Sequence, residues 1–287
     1  MIVIVGPTAS GKTALACDLA ERLGGEVISA DSQQCYRGLD VGTAKPGAGE
    51  RARVRHHLLD VADPEEQLDA AAFVRLADEA IADIQGRGKV PIVAGGTGLW
   101  IRALLRGLLP GPDRNEAFRA AFRADLAARG LAAAHARLAA VDPESAARIQ
   151  PNDRVRIERA LEVHHLTGRS MSALQREHGF AEKRYEARVI HLDPPRELLR
   201  ARIEVRTRAI FAPGSAFFDE VRRLVPGGKA LKIIGYGEAF AALDQGPEAL
   251  AASCERTIAR TYRYAKRQQT WFRREYGPGL WPQPVGL

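Results

Sequence analysis

The sequence predicts an α/β protein with a P-loop-containing parallel sheet core covered by helices, and with a helical insertion domain. A glycine-rich loop follows a short apolar run at the start of the chain, and strand-like and helical segments then alternate as far as residue 112. Between residues 113 and 186 the chain becomes rich in alanine and arginine with helical spacing. We therefore expect residues 1–112 and 187–287 to form the core, the latter adding one strand and increasingly basic helices, with residues 113–186 as the insertion.

The first element is a phosphate loop (P-loop), formed by residues 6–13 with the pattern G-x-x-x-x-G-K-T. It lies between residues 1–5, an apolar run typical of a buried parallel strand, and residues 14–23, which have helical apolar spacing. Backbone N–H groups and the helix N-terminus suit phosphate oxygens, while Lys12 adds a mobile positive charge and Thr13 a hydroxyl for Mg²⁺. The pattern predicts a polyphosphate site at Gly6, Pro7, Thr8, Ala9, Ser10, Gly11, Lys12 and Thr13.

The segments that follow alternate in the order expected of a parallel sheet covered by helices. Short apolar runs at residues 26–30, 89–94 and 189–192 predict three more strands, and residues 70–85 predict a helix that glycines end. Within the insertion, helices are expected over residues 115–129, 131–140 and 154–166.

The charge balance favours an anionic partner. The chain has 42 Lys and Arg against 35 Asp and Glu, and a net charge of +7 is typical of proteins that bind nucleic acid. Three scattered cysteines argue against a disulfide framework or a metal-ligand spacing, and for a reducing cytosol. No apolar stretch approaches the ~20 residues that cross a bilayer. We expect a cytoplasmic protein without membrane contact.

Two polar residues are expected where strands end, which is where ligands bind in parallel α/β proteins. Asp31 ends the second strand and precedes three polar residues able to read the edge of a base, Ser32, Gln33 and Gln34. The alternative for Asp31 is a capping role or an indirect contact with Mg²⁺. Thr97 follows the third strand and suits contact with a phosphate or orientation of a nucleophile. Its alternative is an ordinary glycine-rich turn.

Arginines follow the last predicted strand. Arg202 and Arg206 lie four residues apart on one face of the expected helix, where they could hold a diphosphate bidentately. The alternative is a solvated helix face.

A basic and aromatic run covers residues 260–274, with six basic residues and no acid. Basic groups suit phosphates, and aromatic faces suit unstacked RNA bases. The competing interpretation is an amphipathic helix that packs its aromatic residues on the core. We expect both to hold in part, with Arg263 and Arg267 facing outward and Trp271 facing inward.

Taken in order, these motifs resemble the bacterial tRNA dimethylallyltransferase family, also called tRNA isopentenyltransferases, over nearly the whole chain. The phosphate loop is shared with kinases, but the complete ordered set is specific. Two positions depart from the family pattern: Trp100 stands where tyrosine is usual, and Gly237 where a basic residue is frequent. The similar stretches are residues 6–13, 31–36, 38–46, 56–60, 95–97, 142–143, 151–153, 159–163, 235–236, 265–268 and 270–271.

The resemblance implies transfer of the dimethylallyl group from dimethylallyl diphosphate to N6 of adenine 37 of tRNA, giving N6-dimethylallyladenosine (i6A) and diphosphate. By this resemblance the reaction is a direct displacement in which Asp31 is the general base and Thr97 lies near the reacting centre. Lys12, Arg206 and Mg²⁺ on Thr13 would stabilise the charge of the leaving diphosphate.

The resemblance also implies an extended contact with tRNA, in which the insertion binds the anticodon arm. Nothing in the sequence requires more than a monomer. The residues expected to contact tRNA are Asp31, Ser32, Gln33, Gln34, Thr97, Arg119, Val155, Arg156, Ile157, Glu158, Arg159, Lys232, Ile233, Ile234, Gly235, Tyr236, Gly237, Lys266 and Arg267.

Three alternatives remain at this point. A small-molecule kinase would use the phosphate loop for ATP, but it would not need the basic and aromatic C-terminal run. An isopentenyltransferase acting on free AMP or ADP would not need the long insertion. A non-catalytic RNA-binding protein would have no reason to keep Lys12, Thr13, Asp31, Thr97 and Arg206 together.

Overall fold

The computed structural model describes residues 1–109, 111–180 and 182–281, and the chain forms two compact units. The first unit comprises Met1–Leu105 together with the chain from Arg184 onward, and the second comprises Arg106–Lys183. The first is an α/β unit and the second is helical, so the predicted α/β fold is confirmed.

The first unit contains a five-stranded sheet in the order β3-β2-β4-β1-β5, with every pairing parallel. The strands predicted near residues 1–5, 26–30, 89–94 and 189–192 are all present. The fifth, β3, is a two-residue edge strand too short to give an apolar pattern. In chain order the elements are β1 (Ile2–Val5), α1 (Lys12–Leu23), β2 (Gly25–Ser29), α2 (Ala48–Arg53), β3 (His56–His57), α3 (Ala70–Gly86), β4 (Val90–Gly95) and α4 (Gly98–Arg106).

The first unit resumes after the helical insertion with the strand β5, which is followed by helices as far as the end of the described chain. These elements are β5 (Arg188–His191), α9 (Arg196–Ile210), α10 (Phe217–Arg222), a short 3₁₀ turn (Lys229–Lys232), α11 (Tyr236–Phe240) and α12 (Pro247–Tyr276).

Strand β1 is buried on both faces because its side chains alternate between two hydrophobic clusters. Val3 and Val5 pack with residues of α3 and α4, whereas Ile4 packs with residues of α1. The register places Val5 opposite Gly95 of β4 and His191 of β5. The phosphate loop therefore leaves the sheet beside the ends of both neighbouring strands.

In its described residues, the second unit is built from four helices around a core that includes Phe122, Leu138 and Ile157. The two helices predicted over residues 115–129 and 131–140 form one helical element with a break at Gly130, where φ is +76°. A helix near residues 154–166 is also present. The elements are α5 (Glu116–Val141), α6 (Pro143–Arg148), α7 (Arg154–Thr167) and α8 (Met171–His178).

The bounds of the second unit differ from the predicted residues 113–186. At its end, Arg184 and Tyr185 donate hydrogen bonds to the carboxylate of Asp78 on α3, at 2.7 and 2.6 Å. These bonds fasten residues 184 and 185 to the α/β unit. At its start, the carbonyl of Pro112 accepts a hydrogen bond from Arg159 at 2.9 Å, so residue 112 belongs with the helices.

Helix α12 is the longest element of the α/β unit. Its buried face includes Thr257, Gln268 and Phe272, while Arg263 and Arg267 are exposed, as predicted. Across the three described ranges, none of the helices combines the length and apolarity needed to cross a membrane.

Candidate active site

The phosphate loop joins β1 to α1, and two glycines give it its shape. Gly6 and Gly11 have φ values of +154° and +89°, and a Cβ on Gly6 would lie 2.5 Å from the carbonyl oxygen of Leu192. Only glycine therefore allows the loop to pass so close to the chain after β5. The loop lines a cavity of about 450 Å³, here named the phosphate cavity.

Three cations line the phosphate cavity: Arg202, which is exposed, and the less accessible Lys12 and Arg206. Burial lowers the pKa of Lys12 to about 8, against the opposing effect of the Asp31 carboxylate and with a smaller contribution from Arg206. Burial also lowers the pKa of Arg206. Among the described residues, neither Lys12 nor Arg206 lies within ion-pair distance of a carboxylate, and Asp31 acts on both only through space. The Lys12 Nζ donates to the carbonyl of Pro7 at 2.6 Å, whereas the buried Nε of Arg206 has no hydrogen-bond partner. Buried charge without a counterion is unfavourable in a folded protein, so these groups indicate an anion-binding site.

Thr8 is where two distant helices reach the phosphate loop. Arg206 on α9 donates from Nη2 to Thr8 Oγ1 at 2.9 Å, and the Thr8 backbone N–H donates to Gln268 Oε1 on α12 at 2.8 Å. Arg202 donates to the carbonyl of Ala9 at 3.4 Å. Both arginines therefore lie at the phosphate loop, as predicted. The alternative interpretation, that they only form a solvated helix face, is wrong for Arg206.

Asp31 lies two residues after the end of β2 and is held by local hydrogen bonds. Its Oδ1 accepts from the backbone N–H of Gln33 at 2.9 Å. Thr97 Oγ1 accepts from the backbone N–H of Ser32 at 2.9 Å, and the Thr97 N–H donates to the carbonyl of Ala30 at 3.2 Å. Thr97 thus fixes the backbone on both sides of Asp31, which is more than an ordinary glycine-rich turn would do.

A second cavity, of about 410 Å³, adjoins the first and shares Thr8, Asp31, Thr43 and Arg206 with it. We name it the aromatic cavity, after its two tyrosines. Asp31 and Arg206 therefore lie at the junction of the two cavities. The phosphate cavity is lined by cations, and the aromatic cavity is lined by aromatic, aliphatic and amide groups. Its other lining residues are Ser32, Gln33, Tyr36, Gly42, Pro64, Lys229, Lys232, Ile233, Ile234, Thr261 and Tyr264.

Glu220 on α10 has a role that the sequence pattern did not indicate. Its buried carboxylate accepts backbone N–H bonds from Asp40, Val41 and Gly42 at 3.0, 2.7 and 3.3 Å, and the hydroxyl of Tyr236 at 2.5 Å. This arrangement holds the segment that forms one wall of both cavities. Charged residues spaced along a helix give no sign of which one turns inward.

Tyr236 itself is 0% exposed, and burial together with the Glu220 carboxylate raises its pKa. Its side chain supports the cavity wall, and in this structure it is not available to an RNA. Gly235 is buried as well, whereas Lys232, Ile233 and Ile234 of the same predicted group line the aromatic cavity.

In the insertion, the residues predicted to contact tRNA divide into exposed and buried ones. Val155 is 75% exposed and Arg156 is exposed, but Ile157 is fully buried and Glu158 nearly so. The buried side chains of Ile157 and Glu158 hold the helices together and do not offer a surface to a polynucleotide.

Arg119 and Arg159 both bind the buried carboxylate of Glu162, at 2.8 and 2.7 Å. Burial alone would raise the pKa of Glu162, but hydrogen bonds from Arg119, the Asn115 backbone and Arg159 outweigh it and lower that pKa to about 2. These two arginines are therefore engaged in the fold of the insertion. Any contact with tRNA would be additional to that engagement.

On α12, Lys266 and Arg267 are exposed and lie over tyrosine rings of their own helix. The Lys266 Nζ is 5.6 Å from the Tyr262 ring centroid, and the Arg267 Cζ is 5.6 Å from that of Tyr264. Trp271 is partly buried against the hydrophobic cluster that contains Val3 and Phe73, so its inward orientation is confirmed.

Comparison with known proteins identifies the family. The family described as IPP transferase matches residues 34–275. The chain belongs to the IPP transferase family. It is 54% identical to a tRNA dimethylallyltransferase of Anaeromyxobacter dehalogenans (strain 2CP-C), covering 99% of this chain and 95% of the relative. It is 48% identical to that of Sorangium cellulosum (strain So ce56), covering 95% and 87%.

Two solved structures have a similar fold to this chain. The full-length tRNA isopentenylpyrophosphate transferase of Bacillus halodurans is 38% identical, with a TM-score of 0.68 over 97% of this chain and 88% of that one. A eukaryotic dimethylallyltransferase, described as acting on tRNA, is 28% identical, with a TM-score of 0.79 over 95% and 69%. The resemblance inferred from the motifs is confirmed, and the match favours a transferase over a kinase.

The two departures from the IPP transferase pattern have structural surroundings that account for the residues present. Trp100 is buried and stacks on Phe73, with ring centroids 4.5 Å apart and planes inclined by 14°. A Cβ on Gly237 would lie 2.2 Å from the carbonyl oxygen of Leu231, so this backbone leaves no room for a side chain.

Proposed function

We propose that this member of the IPP transferase family transfers the dimethylallyl group of dimethylallyl diphosphate to N6 of adenine 37 of tRNA, releasing diphosphate. The observation that carries the proposal is the meeting of the two cavities at Asp31 and Arg206. One cavity suits a polyphosphate, the other suits a flat base and a short prenyl chain, and a carboxylate lies at their junction.

The donor's diphosphate would bind in the phosphate cavity against the loop formed by residues 6–13. Backbone N–H groups at the start of α1, the Lys12 ammonium and the Arg206 guanidinium supply positive potential. When the bond between the allylic carbon and oxygen breaks, the electron pair stays on the diphosphate. The same cations then stabilise the charge that develops on it.

Mg²⁺ fits the donor set of this cavity. The lining includes the hydroxyl of Thr13 and the carboxylates of Asp31 and Glu50, which are the oxygen ligands that Mg²⁺ prefers together with phosphate oxygens and water. We assign Thr13 as the residue that would hold the ion. When bound, it would neutralise part of the charge on the leaving diphosphate.

The acceptor would be an adenine turned out of the anticodon loop into the aromatic cavity, because a stacked base cannot present its N6 to Asp31. As N6 attacks the allylic carbon, Asp31 would accept the proton that N6 loses. Such a general base contributes ~10²–10⁴-fold in rate. Thr97 would keep Asp31 in place through its bonds to Ser32 and Ala30.

The tRNA would contact exposed groups of both units. In the α/β unit these are the rim residue Lys232 and the pair Lys266 and Arg267 on α12, together with the half-buried polar segment from Ser32 to Gln34. In the insertion they are Val155 and Arg156 at the start of α7. The monomeric state and the cytoplasmic location stay predictions.

A label-transfer experiment tests the proposal. Purified protein is incubated with Mg²⁺, dimethylallyl diphosphate labelled in the prenyl group, and either total tRNA or AMP. A parallel reaction contains ATP labelled in the γ-phosphate. We expect prenyl label in tRNA alone, on N6 of adenine 37. Prenyl label in AMP alone, or phosphoryl transfer from ATP to a small alcohol, would contradict the proposal.

A further inference from the structure

Gln268 forms a bridge between two loops of the active site. Its Oε1 accepts the backbone N–H of Thr8 at 2.8 Å, and its Nε2 donates to the carbonyl of Gly96 at 2.9 Å. The side chain comes from α12, 260 positions after Thr8 and 172 after Gly96. One amide therefore joins the phosphate loop after β1 to the turn after β4, and we name the two bonds the Gln268 bridge.

The surroundings of the Gln268 bridge are closely fitted. Gln268 is 6% exposed, and a Cβ on residue 96 would lie 2.4 Å from its Nε2, so the amide can approach only because residue 96 is glycine. Both bonds are made to backbone atoms. A backbone N–H or carbonyl in the protein interior needs a hydrogen-bond partner whatever the neighbouring side chains are. Breaking the bridge would leave the partly buried N–H of Thr8 and the buried carbonyl of Gly96 unpaired.

The two loops that the bridge joins carry different parts of the proposed chemistry. The phosphate loop carries Lys12, and the turn after Gly96 carries Thr97, which fixes the backbone around Asp31. The distance between the donor's diphosphate and the general base therefore depends on the spacing of these loops. Tyr264 lies one turn before Gln268 on α12 and lines the aromatic cavity.

We propose that Gln268 is a positioning residue for the transfer reaction, whose amide sets the spacing between the phosphate loop and the turn that carries Thr97. The proposal rests on the proposed function for its account of catalysis. Its prediction for diphosphate binding can be tested by binding measurements alone, without the transfer reaction. Loss of the bridge should weaken diphosphate binding and misalign the donor, while the basic outer face of α12 stays intact.

The neighbouring residue provides a matched control. Gln269 is also on α12 and is 0% exposed, but its Nε2 donates to Asp193 Oδ1 and to the carbonyl of Pro194, at 2.9 and 3.0 Å, after β5. Gln268→Met and Gln269→Met each replace a buried amide by an apolar chain of similar length. Both variants should lose thermal stability, and only Gln268→Met should lose the Gln268 bridge.

The measurements are calorimetric binding of inorganic diphosphate with Mg²⁺, and steady-state kinetics with each substrate varied. For Gln268→Met we expect diphosphate Kd and donor KM to rise by about tenfold or more, the effect of removing one or two buried hydrogen bonds, with the KM for tRNA within about twofold. For Gln269→Met, diphosphate Kd should stay within about twofold of the wild-type value. Equal Kd values for wild type and Gln268→Met, or equal losses in both variants, would overturn the proposal.

Gln268→Glu adds a test that a merely structural role would not pass. A carboxylate there can accept from Thr8 but cannot donate to Gly96, whereas a protonated carboxyl can do both, as the amide does. The other titratable or charged groups that line the phosphate cavity are Lys12, Asp31, Glu50, Arg202 and Arg206, all kept in the variant. Tyr264, which is in hydrogen-bond contact with the Gln268 side chain, is also kept.

At about pH 8 the Gln268→Glu variant should therefore bind diphosphate more weakly than wild type. The ratio of the variant Kd to the wild-type Kd should fall towards one as the pH is lowered to about 5. A ratio that is constant over this range would count against the Gln268 bridge. If wild type transfers no prenyl group to tRNA but the Kd pattern holds, the proposed function fails and the bridge stands. If wild type transfers the group and Gln268→Met keeps its donor KM and diphosphate Kd, the bridge fails alone.

Discussion

Arg206 donates a hydrogen bond from Nη2 to Oγ1 of Thr8 at 2.9 Å, across 198 positions of the chain. The bond directs the guanidinium at the phosphate loop, beside Lys12 and near Asp31. Arg208 lies two residues further along α9 and behaves differently, since it is exposed and pairs with Glu204 and Glu255 at 2.9 and 2.7 Å. Arg206 is therefore placed to receive an anion, and Arg208 is not.

Replacing Arg206 by alanine should raise the KM for dimethylallyl diphosphate by about 10- to 100-fold, because the variant cannot donate hydrogen bonds to a charged phosphate group. Arg208→Ala removes the same charge from the same helix and should change this KM by less than about twofold. Steady-state kinetics with the donor varied at saturating tRNA gives the measurement. Weaker tRNA binding with an unchanged donor KM would show that Arg206 was wrongly assigned.

Replacing Asp31 by asparagine should lower kcat by about 10²–10⁴-fold while both substrates still bind, because an amide keeps the bond to Gln33 but cannot accept the N6 proton. Single-turnover kinetics and tRNA binding are measured on the same preparation. Asp69→Asn, at the N-cap of α3, is the control and should affect stability only. Turnover at the wild-type rate would remove Asp31 from the role of base.

Replacing Lys12 by methionine should stabilise the protein at neutral pH while abolishing diphosphate binding. The folded pKa, about 8, lies below the ordinary 10.5 because burial disfavours the charged form. The unfolded chain therefore binds more protons between pH 8 and 10.5, and the stability of wild type rises with pH across that window. Lys12→Met lacks this buried charge, so its free energy of unfolding should exceed that of wild type by up to about 3 kcal/mol below pH 8. The difference should vanish towards pH 10.5.

Chemical denaturation over a pH series measures these stabilities, and Lys45→Met is the control. The Lys45 side chain is almost fully buried, but it pairs with Asp40 and Asp60 at 2.6 and 2.5 Å. Lys45→Met leaves these carboxylates without their cation and should therefore destabilise the protein. Loss of stability in Lys12→Met at pH 7 would contradict the account of Lys12 as an uncompensated cation.

Replacing Lys266 and Arg267 together by alanine should weaken tRNA binding and reduce its salt dependence. Each cation that is removed from a phosphate lowers the slope of log K against log salt concentration by roughly one, so the slope should fall by about 1–2. The control is Arg75→Ala with Arg222→Ala, which removes two exposed positive charges that pair with Glu79 and Asp219. Filter binding over a salt series measures both. A slope shared by wild type and the α12 variant would place the tRNA elsewhere.

Much of the fold could be predicted because its signals are local. An apolar run of four or five residues followed by two spaced glycines and Lys12 is enough to predict β1, the phosphate loop and α1, since each depends on neighbouring residues. The same holds for β4 and the turn that carries Thr97. The two-residue strand β3 has no such pattern, because it exists only through its pairing with β2.

The sequence by itself determined the phosphate loop, the positions of four strands along the chain, the helical insertion and the position of Asp31 after a strand. Only the tertiary structure decided which distant side chains serve that site: Gln268 at Thr8 and Gly96, Glu220 at the cavity wall, and Tyr236 turned inward to meet it. The reason is physical. A helix shows its apolar face in its spacing, but which polar residue on it finds a buried backbone partner depends on the rotation and packing of elements far apart in the chain.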